Sequence, residues 1–451
     1  MKPSWKKPFT IIVSALGVLV LLALFFRWKA EHPSLAPLSL AAAVLSMVLF
    51  LIVGLRTVPA WADFWCAEPA IKQPKGRQPA PLAAWKPFCM LLVWNTAMLL
   101  LGWSLRGMLL GSMSFTESLN AWVCGDGVHY IDIARDWYLS SGSKDRIVQL
   151  VFLPGYPILI RLMHCLIPNW TYAALAVSAL CFAGAGTIFY RLMQMDLGED
   201  AARRSVLILC LLPGAFFFTA PMSESLFLLC CVGCLYLIRK GRWLPGCLVG
   251  AYAAFTRSLG VTLLVPLVME LVHAAVRKDL PKKKVLPAAL SLLLIPMGFG
   301  AYLYINYRVS GDAFRFLTYQ SQHWHQNFGL FFNTAAYQMD YAVGAAEEKS
   351  ELLWGLWLPN IAASFTALIV MIFGVKRLRA SYSVWFLPYY FIAIGATWLL
   401  SAPRYLLAFF PLTAALAILT EKKAVRAVIL VLLVTGFTLY FLAFLLRWQV
   451  F

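Results

Sequence analysis

The chain has 451 residues, of which 61% are hydrophobic and only 13% charged, and its formal net charge is +18. A soluble domain carries roughly 25% charged residues, so an ordinary water-soluble globular protein is excluded. The basic excess would suit a nucleic-acid footprint, but the Lys and Arg fall in short clusters between apolar blocks of about 20 residues, the length that crosses ~30 Å of hydrocarbon. No nucleic-acid partner is therefore expected, and the composition describes an all-α polytopic membrane protein.

Apolar windows predict about thirteen membrane-spanning helices: 9–26, 35–55, 87–110, 170–190, 204–220, 222–238, 243–256, 259–276, 285–306, 354–374, 382–400, 403–420 and 424–446. Lys2, Lys6 and Lys7 precede the first of them, as in a signal peptide, but the stretch is too long and lacks a small-x-small cleavage site. It reads as a retained first helix. Residues 1–86, two helices and a basic loop, are expected to stand before a catalytic transmembrane domain at 87–451. With the N-terminus cytoplasmic, every inside segment is basic, from Arg56, Lys72, Lys75 and Arg77 through Lys282, Lys283 and Lys284 to Lys422, Lys423 and Arg426. The outer segments hold most of the acidic residues.

Two outer segments, about 111–169 and 308–353, are too long to be turns, and long loops in compact proteins are commonly functional. Residues 126–137 plot as an amphipathic helix, with Tyr130, Ile133, Ala134 and Trp137 on one face and His129, Asp132 and Asp136 on another. Such a helix is expected to lie along the outer membrane surface. Residues 151–167 are apolar but interrupted by Pro154, Gly155 and Pro157, which predicts a short helix leaning on the same outer face. Most of the ten cysteines lie inside apolar blocks as small hydrophobes. Cys124 and Cys165 flank the first outer loop, but no disulfide framework is visible, since sequence supplies no pairing geometry.

Two motifs decide the functional reading: Asp126-Gly-Val-His-Tyr-Ile-Asp-Ile-Ala134 and Phe152-Leu-Pro-Gly-Tyr-Pro-Ile-Leu-Ile-Arg161. Together they resemble the PIG-V family, the second mannosyltransferase of glycosylphosphatidylinositol (GPI) anchor assembly and its bacterial relatives. The resemblance extends in the same order through Leu212-Pro-Gly-Ala-Phe-Phe-Phe-Thr-Ala-Pro-Met-Ser-Glu-Ser-Leu-Phe227, Ala254-Phe-Thr-Arg-Ser-Leu-Gly260 and Ser401-Ala-Pro-Arg-Tyr-Leu-Leu407. Gly125 stands where the family usually carries Trp before the aspartate. The resemblance implies a GT-C glycosyltransferase architecture, a catalytic aspartate in the first outer loop, and a polyprenyl (dolichyl-type) phosphate sugar as donor. Mannose as the sugar is implied by the resemblance alone. The acceptor would be a hydroxyl of a lipid or glycan.

Such a transfer needs a base for the acceptor proton and cations for the leaving phosphate. Asp126 opens the amphipathic helix, where a carboxylate either caps free backbone N–H groups or, as the resemblance implies, is the general base. His129, one turn later, is a substrate-binding candidate or a solvated surface histidine. Glu224 sits between two apolar spans and is either a turn carboxylate in water or a sugar contact. Arg257 and Arg404 interrupt apolar stretches at outer ends, as phosphate ligands or as snorkelling side chains. Tyr405 is a further phosphate candidate. Tyr156, with Phe152, Pro154 and Pro157, is expected to shape the wall of the site or simply to pack. His323 and His325 invite a metal reading, but no carboxylate set accompanies them, and neither a metal nor another cofactor is expected. The alternative function is a polytopic transporter or lipid flippase, for which the sequence offers no convincing internal repeat. The active site is expected on the extracytoplasmic or ER-lumenal face, at the cell membrane if the host is bacterial.

Overall fold

The computed structural model describes residues 4–66, 80–83, 85–138 and 144–450, the side chains of 144–147 excepted. Lys2, Lys72, Lys75 and Arg77 of the expected inside segments lie outside the described residues. Among these residues the backbone is helical or irregular, with one isolated β-bridge, Phe328 to Ala396. The helices in chain order are α1 Lys6–Glu31, α2 Pro37–Trp65, α3 Trp85–Leu110, α4 Phe115–Asn120, α5 Asp126–Asp136, α6 Gly155–His164, α7 Trp170–Leu197, α8 Glu199–Leu211, α9 Glu224–Arg239 and α10 Trp243–Thr256. They continue as α11 Leu264–Val276, α12 Lys282–Ser291, α13 Leu294–Ser310, α14 Arg315–Trp324, α15 Phe331–Glu347, α16 Leu358–Gly374, α17 Ala380–Ile394, α18 Ala402–Leu407, α19 Phe410–Leu419 and α20 Lys423–Leu445. Eight helical segments are long and apolar enough to cross a membrane, with α12 and α13 together making one of them. The protein is an integral, multi-pass membrane protein.

Several expected spans are broken, each at an identifiable residue. The 204–220 block stops at Leu211 and resumes as a short 3-10 turn, Ala215–Phe218, because Pro213 has no N–H to donate and Gly214 follows it. The 382–400 block ends at Ile394, and Gly395 and Thr397 instead pair with the backbone of residues 327–329. The 403–420 block is two pieces, α18 and α19, separated at Ala408 and Phe409 just ahead of Pro411. The count of thirteen full spans is thus replaced by long spans and shorter, interrupted helices.

The second outer segment is not a loop. It contains the 17-residue α15, whose Phe331 and Phe332 are fully buried and which packs along α2. Trp28 Nε1 of α1 donates to Asn333 Oδ1 at 2.8 Å, and Ser39 of α2 bonds Asp340. The first two helices are therefore part of one packed body, since α2 also lies against α11, α16 and α17. The short helix expected in 151–167 is α6, which leaves Leu162 exposed on one side. α6 buries Tyr156 and Ile160 completely against α5 and α7. α5 likewise turns Tyr130, Ile133 and Ala134 into protein rather than lipid. All ten cysteines are free.

The ends of α7, α9, α11 and α17 carry a closed ionic cluster. Arg239 pairs with Asp196 at 2.5 Å, and Tyr382 donates to the other Asp196 oxygen at 2.8 Å. Arg379 donates twice to Glu270, at 2.5 and 2.6 Å, and Ser381 adds a third bond. His273 Nδ1 donates to the Phe64 carbonyl at 2.7 Å, which ties α2 into the same corner. Removing one partner of a buried ion pair strands the other. Arg379→Ala is expected to destabilise by ~3–5 kcal/mol, while replacing Arg379 and Glu270 together by Leu costs far less. Thermal unfolding of the purified protein in detergent measures this, and a single variant as stable as the parent contradicts it.

Candidate active site

Asp126 is the first residue of α5, and Gly125 before it adopts φ +51°, a conformation that favours glycine over a side chain as large as Trp. The start of α5 is pressed against the Ala220–Met222 turn, where a Cβ on Gly127 would lie 3.1 Å from the Pro221 carbonyl oxygen. Its far end is capped by α6, as Arg161 Nε and Nη2 donate to the carbonyls of Ala134 and Arg135 at 2.6 and 3.1 Å. The helix is thereby fixed at both ends, which leaves the Asp126 carboxylate aimed away from its own backbone. It caps no N–H group.

Instead the carboxylate begins a chain of charges drawn from four parts of the sequence. Arg404 Nη2 of α18 donates to Asp126 Oδ2 at 2.7 Å, and Arg404 Nε donates to Glu224 Oε1 of α9 at 2.8 Å. Arg257, at the end of α10, donates from Nη1 to the same Glu224 oxygen at 2.7 Å and to Ser223 Oγ at 3.2 Å. Tyr130 of α5 shares a 3.0 Å hydrogen bond with that Ser223 hydroxyl. The Arg257 guanidinium lies 5.0 Å from the Tyr405 ring centre, and that of Arg404 lies 5.4 Å from Phe217. Two acids and two arginines make the chain neutral, which is what allows it to be buried. Glu224 is wholly enclosed and Arg404 nearly so, whereas the Asp126 side chain is 33% exposed.

That exposure faces a cavity of about 360 Å³. Its lining includes Asp126, His129, Tyr130, Arg257, Ser258 and Tyr405, together with Gln320, Trp324, Gln326, Leu400 and Ser401 and with Val151, Phe152 and Leu153. Of the residues singled out from sequence, Asp126, His129, Arg257 and Tyr405 reach the cavity. His129 stacks on Phe152 at 4.7 Å and accepts from Gln149 Nε2 at 3.5 Å.

Three others do not line it. Glu224 is neither a turn carboxylate in water nor a wall residue: it stays off the cavity lining and holds two arginines with one oxygen, while its Oε2 has no hydrogen-bond partner among the described residues. Arg404 does not snorkel, and its donors are committed to two carboxylates. Tyr156 is buried, its hydroxyl donating to the Ala174 carbonyl at 2.9 Å and sharing a bond with Ser178. Apolar surroundings and a carbonyl partner explain its position without any substrate. His323 and His325 are exposed, and no group of three or more His, Cys, Asp or Glu side chains is gathered among the described residues.

Sequence reasoning missed Ser223, Gln320, Gln326, Ser258 and Ser401. Ser223 stood inside a quoted motif, and its hydroxyl beside Glu224 was the available signal. Gln320 and Gln326 bracket the conspicuous His-Trp-His run, but nothing local says that Gln320 Nε2 donates to Gln326 Oε1 at 2.5 Å or that Gln326 reaches the Trp398 carbonyl at 2.7 Å.

Residues 113–323 match the family model of the mannosyltransferases (PIG-V). The matched region contains Asp126, His129, Glu224, Arg257 and Gln320, while Arg404 and Tyr405 join the site from beyond it. Comparison with curated proteins found no match. Among solved structures, the chain is similar to the crystal structure of ArnT from Cupriavidus metallidurans bound to undecaprenyl phosphate, at 16% identity and a TM-score of 0.45, over 74% of this chain. The match spans 61% of the length of that chain.

Burial acts to raise the Asp126 pKa, but the charge and hydrogen bond of Arg404, followed by Arg257 and His129, outweigh it and hold the carboxyl below its ordinary 3.8. A depressed folded-state pKa contributes stability above the unfolded value, and that stability is lost as pH falls through the folded value. The stability difference between the parent and Asp126→Asn is therefore expected to stay constant from neutral pH down to about pH 5 and to shrink only on further acidification. Melting temperatures across that range test it. A difference that collapses near pH 6 contradicts the pairing.

Proposed function

We propose that this protein is an inverting glycosyltransferase of the GT-C type. It moves mannose from a polyprenyl phosphate donor to a hydroxyl of a lipid-linked or glycan acceptor on the outer or lumenal membrane face. The observation that supports this best is the exposure of one carboxylate, Asp126, and one guanidinium, Arg257, to the same cavity. A base and a phosphate ligand are what a single displacement at an anomeric carbon requires.

In this reading the acceptor oxygen attacks the anomeric carbon as the bond from that carbon to the phosphate oxygen breaks. The acceptor proton passes to Asp126, and the polyprenyl phosphate leaves with both electrons of the broken bond. Its growing negative charge is met by Arg257, with the Tyr405 hydroxyl as a donor beside it. Asp126 paired to Arg404 is a weak base in the resting site. Proton transfer therefore comes late, once the attacking oxygen has become acidic through bond formation. Glu224 and Arg404 hold the two working groups in register. His129 and Phe152 offer a flat surface to the sugar. The cations of the site are arginines, and the proposal calls for no metal.

The transport alternative is not favoured. The cavity's charged groups serve a base and a leaving group, and the matched family is a transferase.

Asp126→Asn is expected to abolish mannose transfer while leaving donor binding within about threefold, because shape is kept and the base is removed. Arg257→Ala is expected to weaken donor binding by about tenfold or more. Transfer from radiolabelled polyprenyl phosphate mannose in membranes gives the first, and native mass spectrometry of the purified protein with the same lipid gives the second. Turnover of Asp126→Asn near the parent rate removes it as the base, and unchanged donor affinity removes Arg257 from the phosphate site.

A further inference from the structure

Val151, Phe152 and Leu153 line the cavity where the chain passes from a 3-10 helix, Lys144–Val151, into α6 at Gly155, and this junction is strip 150–155. Junctions between helices that line a cavity are ordinarily among the mobile parts of a site. Here three tyrosine hydroxyls bind backbone carbonyls of the junction, two from the buried Tyr138 and Tyr302 and one from the half-buried Tyr252. Tyr302 of α13 donates to the Leu150 carbonyl at 2.5 Å, Tyr138 after α5 to the Phe152 carbonyl at 2.5 Å, and Tyr252 of α10 to the Gly155 carbonyl at 2.8 Å. The three come from separate elements, so the strip is held from three sides.

Two further contacts relate the strip to the reacting groups. Phe152 lies flat against His129, one turn after Asp126, with rings 20° apart. At the other end a Cβ on Gly155 would lie 2.3 Å from Thr256 Oγ1, so the strip is seated directly on the residue before Arg257. Phenylalanine would fill the same volume as any of the three tyrosines. What the hydroxyl adds is a fixed carbonyl, and hence a fixed wall.

We propose that Tyr138, Tyr252 and Tyr302 are positioning residues that hold strip 150–155 at a set distance from Asp126 and Arg257, and that this rigid wall fixes how the donor sugar sits in the cavity. The proposal rests on the donor reading given above. Loss of one hydroxyl frees one carbonyl and lets the wall drift, which weakens ground-state binding of the donor more than it slows chemistry.

The test uses the full chain in detergent with polyprenyl phosphate mannose as donor, comparing Tyr138→Phe, Tyr252→Phe, Tyr302→Phe and the Tyr138→Phe, Tyr302→Phe double variant with the parent. Tyr390→Phe serves as control, because Tyr390 is buried like Tyr138 and Tyr302 and donates to the Ser364 carbonyl, away from the cavity. Each single variant is expected to raise donor KM by about three- to tenfold with kcat within about twofold, and the double variant by more than either single. The control is expected to melt earlier with KM unchanged. Unchanged KM in all three single variants, or an equal rise in Tyr390→Phe, overturns the positioning role while transfer by the parent leaves the donor reading standing. A parent that neither transfers mannose nor retains the donor in native mass spectrometry defeats the donor reading, and the positioning role falls with it.

Discussion

The candidate site is organised around one guanidinium. Arg404 lies between Asp126 and Glu224, and Glu224 in turn accepts from Arg257. An unpaired charge at this depth costs several kcal/mol, so none of the four can be placed without the others. That requirement brings together the start of α5, the start of α9, the end of α10 and the six-residue α18. α10 stops at Thr256, and Arg257 meets Glu224 from extended backbone ahead of a 3-10 turn, whereas Arg404 reaches both carboxylates from within α18.

A second buried network, built from Asp196, Arg239, Glu270 and Arg379, lies at the other end of α9. Fifteen residue steps along that helix separate the two by roughly 22 Å. Both are neutral sets of two acids and two arginines, and they differ in access. The Arg379 and Glu270 side chains close on each other with two parallel bonds and a serine, whereas Asp126 and Arg257 each keep a side toward the cavity. Equal chemistry therefore serves stability at one end and a reaction site at the other. What divides them is an opening to solvent.

Much of this was legible in the residues. The apolar blocks located the helices, since burying 20 apolar residues in hydrocarbon is a local, additive requirement. Arg257 and Arg404 stood out because charge inside apolar sequence is costly wherever the chain folds, and Asp126 stood out through the motif it opens. Less visible were the breaks at Pro213, Gly395 and Ala408, because hydropathy windows average over a one-residue interruption. α15 was read as loop, since its buried face is matched to α2, nearly 300 positions earlier, and not to lipid.

The sequence alone determined that the chain crosses a membrane many times, and its motifs singled out Asp126. Those properties follow from composition and motif, which do not depend on which helix neighbours which. Only the tertiary structure decided that Glu224 and Arg404 stay off the cavity lining while Arg257 and Tyr405 join it, that Tyr156 is buried away from it, and that Gln320, Trp324 and Gln326 line it. A side chain's partner is set by long-range packing, and two residues separated by 278 positions meet at 2.7 Å only once every helix between them is in place.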